Sequence, residues 1–108
     1  MADSFQKKER AEEAKYQLDQ ELLFKAESRR NKLLGLWLAE IFGLKGADAD
    51  AYAKEVVIAD LDEPGIEDVM RKVMADIAER GVDINEQQVR EKLESLMGEA
   101  VQQIEAEA

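Results

Sequence analysis

The apolar residues of this 108-residue chain recur every three or four positions, which is the period of an α-helix. No stretch alternates convincingly between apolar and polar residues, as a half-buried β-strand does. The abundance of Ala, Glu, Leu, Lys and Gln is also typical of helices. The pattern therefore predicts an all-α protein.

The first apolar stripe predicts one long helix over residues 5 to about 42, with Asp3 or Ser4 as its N-cap. If this helix bends or divides, the expected place is residues 29–32. Gly43 and Gly46 are expected to end it. The residues of the stripe are Ala11, Ala14, Leu18, Leu22, Ala26, Leu33, Trp37 and Leu44.

The two ends of this predicted helix differ in how much apolar surface they can bury. Beyond the first methionine, residues 1–17 contain only Phe5 and Tyr16 as large apolar side chains. We therefore expect residues 1–19, the N-terminal arm, to be frayed or disordered when the protein is free. Residues 33–44, in contrast, are apolar around most of the helix, which predicts a centrally buried segment with Trp37 on its core face.

Three shorter amphipathic helices follow. The second is expected to begin at Asp48 or Asp50 as N-cap, and the third to follow Pro64 and to end at Gly81. Asn85 and Gln88 have the spacing of a capping box at the start of the fourth. The apolar stripe of the second helix is Ala49, Tyr52, Ala53, Val56, Val57 and Leu61. That of the third is Ile66, Val69, Met70, Val73 and Ile77, and that of the fourth is Val89, Leu93, Leu96, Met97, Val101 and Ile104. Four such helices with short loops predict a four-helix bundle over residues 20–108.

The composition excludes the commonest kinds of site. The chain contains neither Cys nor His, so disulfides, thiolate nucleophiles, Ser-His pairs and imidazole metal ligands are impossible. The acidic pairs near residues 48–50 and 60–63 lack the spacing of a calcium loop and are interpreted as helix caps and solvated surface. We therefore expect neither an enzyme nor a metal site.

The charge is unevenly distributed along the chain. The formal net charge is −10, yet residues 1–32 contain eight basic and seven acidic residues, a net charge of +1. Residues 33–108 therefore carry −11, which argues against nucleic acid as a partner. No targeting segment and no apolar run long enough to cross a bilayer is present, so the sequence predicts a cytoplasmic protein without direct membrane insertion.

Two features remain as candidate binding sites. Arg29, Arg30 and Lys32 form the densest positive cluster, which suits phosphate or carboxylate binding, although a solvated face paired with nearby Glu is the more common outcome. In the arm, Phe5 and Tyr16 could anchor a segment that folds on a partner, but a frayed terminus without function fits the pattern equally well.

Three stretches of this chain resemble a known family, the zeta subunit of the alphaproteobacterial F-type ATP synthase. They are FKAESRRNKLLGLW over residues 24–37, GADADAYAKEVV over residues 46–57 and EPGIEDV over residues 63–69. The resemblance covers essentially the whole chain, and the run from Arg29 to Trp37 is its most specific part.

The resemblance implies a four-helix bundle that inhibits ATP hydrolysis. It implies that the N-terminal segment becomes helical as it inserts into the catalytic interface of the catalytic head, against its alpha, beta and gamma subunits. It also implies that ADP or ATP binds on the bundle, and we expect the phosphates at Arg29, Arg30 and Lys32. The residues of the arm assigned to partner binding in this way are Phe5, Lys8, Glu9, Arg10, Ala11, Glu13, Lys15, Tyr16 and Asp19.

The arm departs from the family pattern at three positions. Lys8 stands where Arg is usual, and Tyr16 stands where Phe is usual, so the class of side chain is kept at both. Glu12 stands where the family typically has Phe. A carboxylate at a buried anchor position would weaken insertion by a few kcal/mol. The alternative function is a helical adaptor or an adenine-nucleotide-sensing bundle without strong inhibitory activity.

Overall fold

A computed structural model describes residues 20–60 and 65–107 of the chain. Within these ranges the chain forms four helices and no strand, so the predicted all-α fold is confirmed. The helices are α1 (Gln20–Ile41), α2 (Ala47–Ala59), α3 (Glu67–Glu79) and α4 (Glu86–Glu107). Helix α1 packs against α2 and α4, and α3 packs against the same two helices, which gives a four-helix arrangement.

Helix α1 runs without interruption through residues 29–32, where the sequence suggested a bend or a division. Its predicted beginning near residue 5 lies outside the described residues. At its other end, Gly43 has a φ of 80°, and the N–H groups of Gly43 and Leu44 donate to the carbonyl groups of Glu40 and Ala39. These two bonds form a Schellman motif, so the prediction that Gly43 ends the helix is confirmed.

The predicted N-cap of α2 was wrong. Gly46 occupies the N-cap position of α2 and makes no side-chain cap. Asp48 and Asp50 instead lie in the first turn, where their negative charges face the positive end of the helix dipole. Helix α3 likewise begins at Glu67, one residue later than its apolar stripe suggested, with Ile66 as its N-cap.

The predicted signals around α4 are confirmed. Gln88 N–H donates to Asn85 Oδ1 at 2.8 Å, and Asn85 N–H donates to Gln88 Oε1 at 2.9 Å, which is a complete capping box. Gly81 has a φ of 67°, and Val82, which follows it, packs against the core. A glycine stop and a capping box therefore set the turn between α3 and α4.

The main core lies where the apolar faces of all four helices meet. The stripes predicted for α2, α3 and α4 supply most of it, since each of these helices has one apolar face. Its buried residues are Leu34, Leu38, Ala39, Tyr52, Val56, Val69, Met70, Val73, Ile77, Val89, Leu93 and Leu96. A smaller cluster of Ala26, Val101 and Ile104 continues between α1 and α4.

The core-facing side of α1 differs from the predicted one. Leu34 and Leu38 are fully buried, whereas Leu33 and Trp37 are only partly buried at the edge of the core. Trp37 instead has the Lys92 ammonium 5.2 Å from its ring centroid. Periodicity could not select the correct face because residues 33–44 are apolar around most of the helix.

Candidate functional site

The nine arm residues predicted to bind a partner lie outside the described residues. The structure therefore describes the bundle and the predicted basic cluster. All three residues of this cluster, Arg29, Arg30 and Lys32, lie on α1, which is continuous from Gln20.

The three residues of the predicted basic cluster, Arg29, Arg30 and Lys32, do not converge on one site. Successive residues of a helix point about 100° apart, so Arg29 and Arg30 leave α1 in different directions. Arg29 and Lys32 line an open groove between α1, α2 and α4. Arg30 lines a separate pocket, which shares no residue with that groove among those described.

Arg29 connects the first half of α1 to the last turn of α4. Its Nη1 donates to Glu107 Oε2 at 2.6 Å and its Nη2 to Glu107 Oε1 at 2.9 Å. Nη1 also donates to Gln103 Oε1 at 2.8 Å. The hydrogen bond to Glu107 raises the pKa of Arg29, and the same contact lowers the pKa of Glu107. Both groups are therefore held in their charged forms.

The groove beside this pair, which we call the basic groove, has a volume of about 490 Å³. Its apolar residues are Phe24, Val57 and Ile104, and its polar residues are Lys25, Ser28, Arg29, Lys32 and Glu107. Phe24 is 57% exposed, which is unusual for a phenylalanine. An exposed aromatic ring beside several cations can hold a flat ring together with an anionic group.

The second pocket, which we call the Arg30 pocket, lies between α1, α4 and the start of α3. Its volume is about 500 Å³, and its wall is formed by Arg30, Ile66, Arg90, Leu93, Glu94 and Met97. Arg30 is only 8% exposed. Its Nε donates to Asn31 Oδ1 at 3.1 Å, whereas its Nη2 is buried and has no hydrogen-bond partner among the described residues.

Arg30 belongs to a small buried group of polar side chains. Burial lowers the pKa of Arg30, and the nearby Asp60 and Glu27 carboxylates offset part of that change. Burial raises the pKa of Asp60, against the opposing effects of Asn31 and Arg30. Asn31 Nδ2 and Asp60 Oδ1 are both buried and make no hydrogen bond of ordinary geometry in the described part of the chain, although Asn31 lies close enough to Asp60 to lower the pKa of its carboxyl. Buried polar atoms of this kind are rare in folded proteins, which makes the group a candidate for function.

Several residues of these two sites were missed from the sequence. Glu107 lies 78 residues from Arg29, and nothing in the spacing of α4 indicated that they would pair. Arg90 and Glu94 looked like ordinary solvated positions on an amphipathic helix. Phe24 opens the stretch over residues 24–37, and its position off the apolar stripe was the one available signal that it would stay exposed.

Within residues 20–60 and 65–107, no group of three or more acidic side chains could hold a metal ion. Over the same residues, no helix is long and apolar enough to cross a membrane.

The model of the family "ATPase inhibitor subunit zeta" matches residues 1–103, which is nearly the whole chain. The chain belongs to this family. The membership expected from the motifs at residues 24–37, 46–57 and 63–69 is thereby confirmed. Among curated proteins, none matches the chain.

A solved structure supports the fold of this family member. A solution NMR structure is similar over 81% of this chain and 99% of that chain, with 52% sequence identity and a TM-score of 0.72. Identity at this level over most of the bundle shows that the two chains share one fold. Membership in the zeta family makes this chain a regulatory protein with an ATPase-inhibiting role.

Proposed function

We propose that this protein inhibits ATP hydrolysis by the F-type ATP synthase, and that its N-terminal arm is the inhibitory element. Residues 1–19 insert as a helix into the catalytic interface, against the alpha, beta and gamma subunits of the catalytic head. The observation that carries this proposal is the family match, which includes the arm as well as the bundle. With such a partner, the protein works at the cytoplasmic face of the membrane-bound enzyme.

The mechanism is physical obstruction. A helix wedged between subunits holds one catalytic site in a single conformation and stops the rotation that hydrolysis drives. This action requires shape and contact and no chemistry by the inhibitor, which agrees with a chain that has neither His nor Cys.

The bundle contributes by keeping the arm close to its site. Folding a segment on binding costs conformational entropy, and a second contact made by a linked domain offsets part of that cost. The described core residues begin at Ala26, so the arm can be altered without removing any of them.

Removing residues 1–19 tests the proposal. We expect the truncated protein to keep its helical circular dichroism spectrum and cooperative unfolding, and to lose inhibition of the purified cognate ATPase. A full-length variant with residues 2–19 in scrambled order is the matched control, because it keeps the length and charge of the chain. Undiminished inhibition by the truncated protein would show that the bundle is the inhibitory element.

The alternative function is a helical adaptor without inhibitory activity. Capture from a lysate of the source cells separates the two, because an inhibitor recovers the alpha and beta subunits of the ATP synthase. An adaptor recovers other proteins and leaves the rate of ATP hydrolysis unchanged.

We also propose ADP or ATP as a regulatory ligand of the bundle, bound in the basic groove. The groove offers the exposed ring of Phe24 for the adenine base, and the cations of Lys25, Arg29 and Lys32 for the phosphates. Arg30, predicted from the sequence as a third phosphate ligand, lines the other pocket and is omitted from this site.

A further inference from the structure

The Arg30 pocket has the build of a small-ligand site. Its volume of about 500 Å³ lies in the range typical of ligand pockets. Three apolar residues, Ile66, Leu93 and Met97, form one part of its wall, and two arginines, Arg30 and Arg90, form another. A few charged groups set into an apolar wall are what orient a bound small molecule.

Arg30 is the unusual member of this wall. More than nine-tenths of the residue is buried, and its Nη2 has no hydrogen-bond partner in the described ranges. A buried donor that stays unpaired destabilises a protein, and the penalty is larger for a charged group. Nη2 is closed to solvent, so an acceptor brought by a ligand reaches it only if the Arg30 side chain shifts toward the pocket. Pairing there would remove the penalty and supply part of the binding free energy.

Arg90 brings a second guanidinium to the pocket, and its partners fix its position. Its Nη2 lies 2.8 Å from Glu86 Oε1 and 3.5 Å from Glu67 Oε1. Its Nε also donates to Glu86, at 3.1 Å. Glu86 and Glu67 therefore hold one edge of the guanidinium and neutralise part of its charge.

The charges around the pocket limit what anion it can hold. Glu94 belongs to the wall itself, and the Asp60 and Glu27 carboxylates act on Arg30 from nearby. Counted together with Glu86 and Glu67, the acidic partners of Arg90, these carboxylates outnumber the two guanidiniums, so the surroundings carry a net negative charge. A polyphosphate, with its several negative charges, would be repelled, whereas a single carboxylate would be matched by one guanidinium.

We propose that the Arg30 pocket binds a small organic monocarboxylate, with the carboxylate at Arg30 and Arg90 and the apolar body against Ile66, Leu93 and Met97. A carboxylate accepts two parallel N–H bonds from a guanidinium, which a point-like anion cannot do as well. This site is separate from the basic groove and does not depend on the nucleotide proposal.

The test is a titration of the ¹⁵N-labelled full-length protein followed by NMR. Benzoate and hexanoate serve as the carboxylate probes, benzamide as the uncharged counterpart of benzoate, and ADP and inorganic phosphate as the other anions. We expect saturable shifts at residues 66, 93 and 97 with both carboxylates, and none there with benzamide, phosphate or ADP. Absence of saturable shifts with both carboxylates, or equal shifts with benzamide, would overturn the proposal.

Three single substitutions localise the binding. Arg90→Gln should weaken benzoate binding about tenfold, the usual effect of losing one charge-assisted hydrogen bond. Glu94→Gln should strengthen it, because it removes the negative charge in the wall. Arg29→Gln, a charge change of the same kind on the other side of α1, should leave it unchanged. Equal weakening by Arg29→Gln and Arg90→Gln would show only a general charge effect and would refute the site.

Substitution of Arg30 itself separates a ligand-binding role from a structural one. Arg30→Met keeps the aliphatic volume but removes the bond to Asn31 Oδ1 and the positive charge near Asp60, so the ligand-free bundle should stay folded and be somewhat less resistant to urea than the parent protein. The same variant should lose benzoate binding. A variant that fails to fold without ligand would show that Arg30 is needed for the fold and would contradict the proposal, and Arg90→Gln and Glu94→Gln would still report on binding.

Discussion

Arg29 and Glu107 lie 78 residues apart in the sequence and form a two-bonded ion pair, with N–O distances of 2.6 and 2.9 Å. The pair joins the middle of α1 to the last turn of α4, at the edge of the basic groove. Arg29 thus holds two helices together and also faces the groove proposed for the nucleotide. Two predictions follow from this arrangement.

The first prediction concerns stability and pH. The pKa of Glu107 is lowered in the folded protein, so its contribution to stability is present above the ordinary pKa of a glutamate. It is lost as the pH falls through the lowered pKa, when Glu107 becomes protonated. We therefore expect Glu107→Gln to lower the urea midpoint modestly at neutral pH and to have almost no effect in acid below the lowered pKa.

Glu105→Gln is the matched control for this measurement. Glu105 is an exposed glutamate of the same helix and has no ion pair in the part of the chain that the structure describes. Because Glu105 has no such pair to lose, its substitution should not reproduce the fall in the urea midpoint at neutral pH that Glu107→Gln causes. If Glu105→Gln and Glu107→Gln behave alike, the pair with Arg29 does not stabilise the protein in solution.

The second prediction concerns the nucleotide proposed for the basic groove. Glu107 occupies two donors of Arg29 that a phosphate would need, so carboxylate and phosphate compete for the same guanidinium. Glu107→Gln should therefore tighten ADP binding. Arg29→Gln should weaken it about tenfold, and Lys32→Gln by less than about fivefold, since Lys32 is exposed.

Isothermal titration with ADP measures these affinities, and Arg30→Met provides the comparison within the cluster. Because Arg30 lines the other pocket, its substitution should leave ADP binding intact. If Arg30→Met weakens ADP binding while Arg29→Gln and Lys32→Gln do not, the nucleotide binds in the Arg30 pocket and both site proposals are wrong.

Sequence periodicity predicted α2, α3 and α4 well, because each has a single apolar face and clear end signals. Asn85, Gln88 and Gly81 were sufficient to place the turn before α4. The start of α2 was misplaced, since Asp48 and Asp50 are favourable both as N-caps and in the first turn. A backbone-only cap at Gly46 leaves no side-chain signal in the sequence.

The candidate sites were harder to predict, for a reason that lies in α1. Its apolar residues surround most of the helix, so the buried face could not be chosen from the pattern, and neither could the directions of Arg29 and Arg30. The face is determined by small residues that let α2 approach. Gly35 lies so close to α2 that a Cβ atom there would be 2.5 Å from Ala53 Cα.

This close approach gives the third prediction. Gly35→Ala improves helix propensity by about 1 kcal/mol but forces α1 and α2 apart. Because the clash is with backbone, no side-chain rotation relieves it, and we expect a net loss of about 1–3 kcal/mol in the free energy of unfolding. Urea unfolding followed by circular dichroism measures it.

Gly98 in α4 supplies the control for Gly35. A Cβ atom at Gly98 would meet no atom of the described residues within 4 Å, so Gly98→Ala should raise the free energy of unfolding by about 0.5–1 kcal/mol through helix propensity alone. The two substitutions are chemically identical and both lie in helices, so only packing distinguishes them. Equal effects would show that α1 and α2 do not pack as closely as the structure has them.

The last prediction concerns Glu12, at the position of the arm where the family resemblance implies Phe. If the arm inserts between subunits, a carboxylate at an anchor position weakens the complex, because its desolvation is not compensated. Glu12→Phe should therefore lower the concentration needed for half-maximal inhibition of the cognate ATPase, by about tenfold or more, since a buried aromatic anchor contributes at least ~2 kcal/mol.

Gln17→Phe adds the same side chain at a position that was not assigned to partner binding, and it should leave the inhibition curve in place. Should both variants strengthen inhibition equally, added hydrophobicity rather than a specific anchor would explain the effect. An inhibition curve unchanged by Glu12→Phe would mean that this side chain stays in water when the protein acts.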